Sequence, residues 1–151
     1  MERVIPADAE TRLTLAFLWV WVLFNYVYGD IFHIFIIFTR PDMQAQLEAG
    51  HLGGMPLNQT SMLVMAALME LSLMMAFLSW KLRHRLNRLF NIAVGSLFTM
   101  IMAATLLASG RLPPLSGYTL YGLIEMAITT SIVITAWQWR TPPQASVEGS
   151  V

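Results

Sequence analysis

LTLAFLWVWVLFNYVYGDIFHIFIIF, residues 13–38, decides the fold: it is an unbroken apolar run holding one carboxylate, Asp30, and no Lys or Arg to neutralise it. A helix needs about 20 predominantly apolar residues to cross the hydrocarbon core of a bilayer. This run exceeds that length and predicts a spanning helix. It is too long and too aromatic for a secretory signal, and its flank carries Glu2, Asp8 and Glu10 with no small-residue cleavage site, so a retained helix is expected.

Three more runs of similar character follow, at about 58–80, 89–109 and 118–139. Their length argues against a membrane β-barrel, whose strands read as roughly ten-residue alternating segments. The expected fold class is all-α, a polytopic membrane protein with one membrane domain over 1–151, four transmembrane helices in an up-down bundle and a disordered tail at 141–151. Composition agrees, with 56% hydrophobic and only 12% charged residues in 151, and the zero formal net charge argues against nucleic-acid binding, which needs a basic patch exposed to water rather than a few interfacial Arg residues. The absence of Cys removes disulfides and thiolate metal sites.

The connections differ in character. Between the first two runs, Pro41 and Asp42 start a short helix through Leu47 and Glu48, closed by Gly50 and again by Gly53 and Gly54; it is either a lid over the bundle mouth or a surface helix at the headgroups. Residues 111–117, with Pro113 and Pro114, read as a tight turn. With both termini and the middle connection on one side, that side carries Arg3, Arg12, Lys81, Arg83, Arg85, Arg88 and Arg140, against Arg40 and Arg111 on the other. The bias predicts cytoplasmic termini, with Trp80, Trp137 and Trp139 in the inner aromatic belt and Tyr118 and Tyr121 near the outer one. The basic run from Lys81 to Arg88 reads as a topology signal and a contact for lipid headgroups.

Function is sought where polarity is costly. Ionisable side chains at membrane depth mark ligand or ion sites by default, and Asp30, Glu70 and Glu125 sit in three different runs. Counting about 1.5 Å per residue from the outer helix ends puts Asp30 roughly 13 Å down, His33 roughly 8 Å, Glu125 roughly 10 Å and Glu70 roughly 18 Å. That shared depth predicts one pocket. Tyr26 and His33 flank Asp30 at one-turn spacing, Tyr121, Gly122, Glu125 and Thr129 share a face on the fourth helix, and Ala66, Ala67, Glu70 and Ser72 form a small and polar stripe on the second. The third helix offers Gly95, Ser96, Thr99 and Thr105 and reads as a packing wall.

The segments FNYVYGDIFHIF (24–35), LMELSLMMAFLSWKL (68–82), NRLFNIAVG (87–95) and LIEMAITTSIVITAWQW (123–139) resemble small bacterial four-helix membrane proteins known as a domain of unknown function. The resemblance spans nearly the whole chain. It implies a bacterial inner membrane and that Asp30, Glu70, Asn87, Arg88, Asn91, Glu125 and the Ala136-Trp137 pair match the family pattern, and it implies no activity; His33 is not carried over from the family. A more distant likeness, in architecture and in acidic residues on the first two helices, is to the sterol isomerase and sigma-2 receptor group, a fold-level analogy.

Three readings follow. In the first, Tyr26, Asp30, His33, Glu70, Tyr121, Glu125 and Thr129 bind a small apolar or cationic ligand, with Asp30, Glu70 and Glu125 as candidate catalytic groups for acid/base chemistry. In the second, Asp30, His33 and Glu70 relay protons in a transporter that acts as an oligomer, since the four helices show no inverted repeat. In the third, the carboxylates form an interhelical clamp in a structural or accessory subunit. Asp30-x-x-His33 with Glu70 and Glu125 partly resembles carboxylate-bridged di-metal bundles, but paired Glu-x-x-His motifs are missing, so neither a metal nor another cofactor is expected. The Met residues, Met62, Met65, Met69, Met74 and Met75 among them, read as packing. Expected partners are the lipid bilayer, the small ligand and, for the second reading, further copies of the chain.

Overall fold

The computed structural model describes residues 7–52, 55–108 and 117–139. The tight turn at 111–116, Gly53 and Gly54, Arg140 and the polar tail lie outside the described residues. Five helices are present: α1 (Ala7–Thr39), α2 (Pro41–Glu48), α3 (Gln59–Lys81), α4 (His84–Ala108) and α5 (Gly117–Gln138). All but α2 are long and apolar enough to cross a membrane. The fold is the all-α four-helix bundle that the apolar runs predict.

Local chemistry sets several helix ends. Among the described residues α1 reaches back to Ala7, ahead of its apolar run, and Arg12 bonds to Asp8 one turn earlier, which supports the helix in this polar stretch. α4 likewise starts at His84, ahead of its apolar run, and includes Arg85 and Arg88. α2 has Pro41 in its first turn, where the missing N–H is not needed, and Gly50 after it takes φ +74°, a left-handed conformation suited to glycine. Two-residue strands β1 (His51–Leu52) and β2 (Met55–Pro56) then pair antiparallel, which the sequence does not announce. Asn58 begins α3 with a capping box: its side chain accepts from the Ser61 amide, and the Ser61 hydroxyl accepts from the Asn58 amide.

Around the bundle the helices run α3, α1, α5, α4, with α1 packed on α3 and α5, and α4 packed on α5. α4 and α5 approach closely at Gly95, where an added Cβ would stand 2.9 Å from Val133 Cγ2. The ring is loosest between α3 and α4. The buried residues of α3 are Ser72, Met75 and Ser79, all in the half nearest the α3–α4 turn, whereas from Met62 to Glu70 every residue except Leu68 is exposed. A seam therefore runs between α3 and α4 toward the end of the bundle that carries α2.

The core is a column of Leu15, Trp19, Val22, Met75, Val94, Phe98, Ile128, Ile132 and Ala136, closed by Trp139. Trp19 meets Phe98 edge-on with ring centroids 5.7 Å apart. Large apolar side chains such as Phe17, Trp21, Phe35, Phe38 and Phe77 are more than half exposed, as is expected of a surface solvated by lipid. Trp80 and Trp137 are exposed, as a belt residue must be, but Trp139 is buried.

Two arginines close helix ends at the α3–α4 turn. Helix termini leave carbonyls without intrahelical partners. Arg12 donates to the carbonyl oxygens of Leu82 and Trp80 and lies over the Trp139 ring, with its guanidinium carbon 5.4 Å from the ring centroid. Arg88 donates to the carbonyls of Ala136 (3.1 Å) and Trp137 (3.0 Å) at the end of α5.

Candidate functional site

The inward stripe of α1 continues from Val22 through Tyr26, Gly29 and His33 to Ile37 at helical spacing, with Val22 and Ile37 buried and the three between them half-buried. Asp30 follows Gly29 by one residue, about 100° around the helix, so it stands at the edge of this stripe and is exposed. On α5 the inward residues are Gly122, Glu125 and Thr129, all buried, with Tyr121 half-buried. Glu125 is 3% exposed.

These two stripes meet. The Tyr26 hydroxyl donates to Glu125 Oε1 at 2.5 Å, and Asn25 Nδ2 donates to the Tyr121 carbonyl at 3.0 Å. Gly29 lies against the Tyr121 ring, and Phe32 packs on it with centroids 5.9 Å apart. The Thr129 hydroxyl donates to the Glu125 carbonyl (2.9 Å), while the Thr99 hydroxyl on α4 lies 2.8 Å from it, tying the third wall to the site. Asp30 is near enough to interact electrostatically with both Tyr26 and His33. Glu125 Oε2 has no hydrogen bond among the described residues.

Glu70 is not part of this group, and the single pocket lined by three buried carboxylates is corrected to one buried carboxylate. The side of α3 turned toward the bundle is set by Ser72, Met75 and Ser79, and Glu70 precedes Ser72 by two residues, about 200° around the helix. Glu70 therefore points away, together with Ala66 and Ala67. Ser72 does not share their stripe. Among the described residues no three His, Asp or Glu side chains stand close enough to hold a metal. Of the Met residues on α3, only Met75 is buried.

A second polar cluster, toward the other end, was legible only through the family pattern. Asn87 and Asn91 are fully buried one turn apart on α4. Ser79 Oγ donates to Asn91 Oδ1 (3.2 Å), Asn91 Nδ2 donates to Asn87 Oδ1 (2.6 Å), and Asn87 Nδ2 donates to the Ser79 carbonyl (2.5 Å). This closes a ring of hydrogen bonds. Trp19 Nε1 joins it from α1 by donating to Asn91 Oδ1 at 2.7 Å. Trp19 and Ser79 escaped sequence reasoning; the signal that could have found them is the i, i+4 pair of amides on an apolar helix, which demands partners from neighbouring helices.

Four apolar helices with interhelical polar bonds in place of a soluble surface define a multi-pass membrane protein. The model of a family of unknown function (DUF6326) matches residues 3–146, and the chain belongs to that family. Neither a curated protein nor a solved structure matches it.

Proposed function

We propose that Tyr26, Asp30, His33, Tyr121, Glu125 and Thr129 form a membrane-embedded binding site for a small apolar or cationic molecule, entered from the α2 end or through the α3–α4 seam. The observation that carries this reading is Glu125: it is buried, yet only one of its two carboxyl oxygens has a partner among the described residues. Desolvated carboxylates interact strongly with a cation because the local dielectric is low. Asp30, at the edge of the same stripe, exchanges a proton with the bound molecule or with water in this reading. Glu70 stands outside this site in a single chain, and only a neighbouring copy would bring it in. The excess of basic residues at the α3–α4 turn and both termini supports cytoplasmic termini.

The test is thermal stability of the detergent-purified protein titrated with tetraphenylphosphonium, a long-chain tertiary amine and the neutral alcohol of equal chain length. Stabilisation by the cations that is lost in Glu125→Gln is expected. Equal stabilisation in Glu125→Gln, or none with any of the three, would sink the proposal.

A second reading has a specific observation behind it. The Tyr26–Glu125 bond joins α1 to α5, so the pair also fits an interhelical clamp in a structural subunit. In that case both Tyr26→Phe and Glu125→Gln lower stability while no added cation raises it.

A further inference from the structure

The turn between α3 and α4 borders a cavity of about 340 Å³ lined by His84, Arg85, Arg88, Leu89 and Ile92. These residues lie along one side of α4, charged at the helix start and apolar from Leu89 to Ile92. The change from cationic to hydrocarbon lining occurs over about 10 Å along the helix. An amphiphile has the same gradient: a charged headgroup followed at once by an acyl chain.

Among the described residues the positive charge here has no counter-ion. The only ion pairs among the described residues are Arg12–Asp8 and Arg40–Asp42, and α4 carries no Asp or Glu. Arg85 makes no hydrogen bond or ion pair among the described residues. Arg88 uses Nε and Nη2 on the α5 carbonyls, which leaves further N–H groups of its five-donor fork available.

Two more features point to an absent acceptor. Both ring nitrogens of His84 are buried without a partner among the described residues, the ring being held edge-on against Trp139 at 4.5 Å. Buried polar atoms normally find a partner. The first backbone bond at the α4 start runs from the Asn87 amide to the Arg83 carbonyl, so the amides of His84, Arg85 and Leu86 precede the helical ladder and add the partial positive charge of a helix N-terminus.

We infer that this cavity binds a phosphate group, and that its source is an anionic phospholipid of the leaflet at this end, with the acyl chain lying along Leu89 and Ile92. The test uses the full chain in phosphatidylcholine nanodiscs doped with phosphatidylglycerol, and separately with inorganic phosphate, reading co-purified lipid by native mass spectrometry after detergent extraction. Wild type should retain phosphatidylglycerol over phosphatidylcholine. Arg85→Gln should cut that retention about tenfold, the worth of a charge-assisted hydrogen bond to the phosphate. Arg83→Gln removes the same charge just outside the cavity, where it makes no bond to the phosphate and salt screens it, and should cost less than about twofold. Equal losses in the two variants would reduce the effect to diffuse surface charge and overturn the site. Absence of headgroup preference would overturn it as well, and displacement of phosphatidylglycerol by millimolar inorganic phosphate would overturn the lipid as its occupant.

Discussion

The two polar clusters of this bundle differ in completeness. Toward the α3–α4 turn, Ser79, Asn87, Asn91 and Trp19 satisfy one another in a fully buried ring drawn from three helices. Toward α2, Tyr26 and Glu125 share one hydrogen bond, Asp30 is exposed, and the facing half of α3, Met62 to Glu70, buries no residue. A saturated network has no capacity left for a ligand and rigidifies the fold. An unsaturated one does have that capacity, and for this reason the binding site is proposed at the half where Glu125 has one bonded carboxyl oxygen.

Substitution at the saturated end should have the largest effect. Asn91→Leu removes the acceptor of Trp19 and Ser79 and the donor to Asn87, leaving buried polar groups unpaired, so a loss of about 2–3 kcal/mol is expected in SDS-induced unfolding. A loss below about 0.5 kcal/mol would erase the contrast between the two ends. Next comes the Tyr26–Glu125 pair. A double-mutant cycle of Tyr26→Phe and Glu125→Gln, followed in the same unfolding assay, should give a coupling of about 0.6–1.7 kcal/mol, the range of interhelical hydrogen bonds in lipid. Additive losses would mean that the bond does not join α1 to α5 energetically.

The smallest effect belongs to the α2 surface. Arg40 donates to Asp42 from Nε and Nη2, at 3.1 and 2.6 Å, and this hydrogen bonding holds the Asp42 carboxyl below its ordinary value. A folded-state value depressed in this way contributes stability above the unfolded carboxylate value, and that contribution disappears as pH falls through the depressed one. Arg40→Gln should return Asp42 to the ordinary carboxylate range in an NMR titration. It should leave the stability of the bundle unchanged at neutral pH, because both side chains are exposed and surface ion pairs contribute little.

Hydropathy made the four spanning helices legible because lipid imposes one dominant constraint, a continuous apolar length. Direction around each helix was less legible. Glu70, Asp30 and Glu125 have the same cost signature in sequence, yet only Glu125 faces a neighbour closely; what separates them is the stripe of residues that packs, and for α3 that stripe is Ser72, Met75 and Ser79. In lipid, apolar residues populate every face, so the usual contrast between an oily side and a wet side is absent. Small and hydroxyl residues carry the information instead. Gly95 and Thr99 indicate the α4–α5 contact correctly for that reason.

The arginines that close α3 and α5 serve two masters. Arg12 and Arg88 count toward the charge bias by which an insertion machinery would choose a topology, and each also ends a helix by meeting backbone carbonyls and an indole ring. Charge can be relocated among flanking positions without altering the bias, but a planar fork that meets two carbonyls cannot. Lysine at either position would preserve the instruction for insertion and remove the end-piece, so in this chain the code for orientation and the hardware of the folded bundle are written in the same two residues.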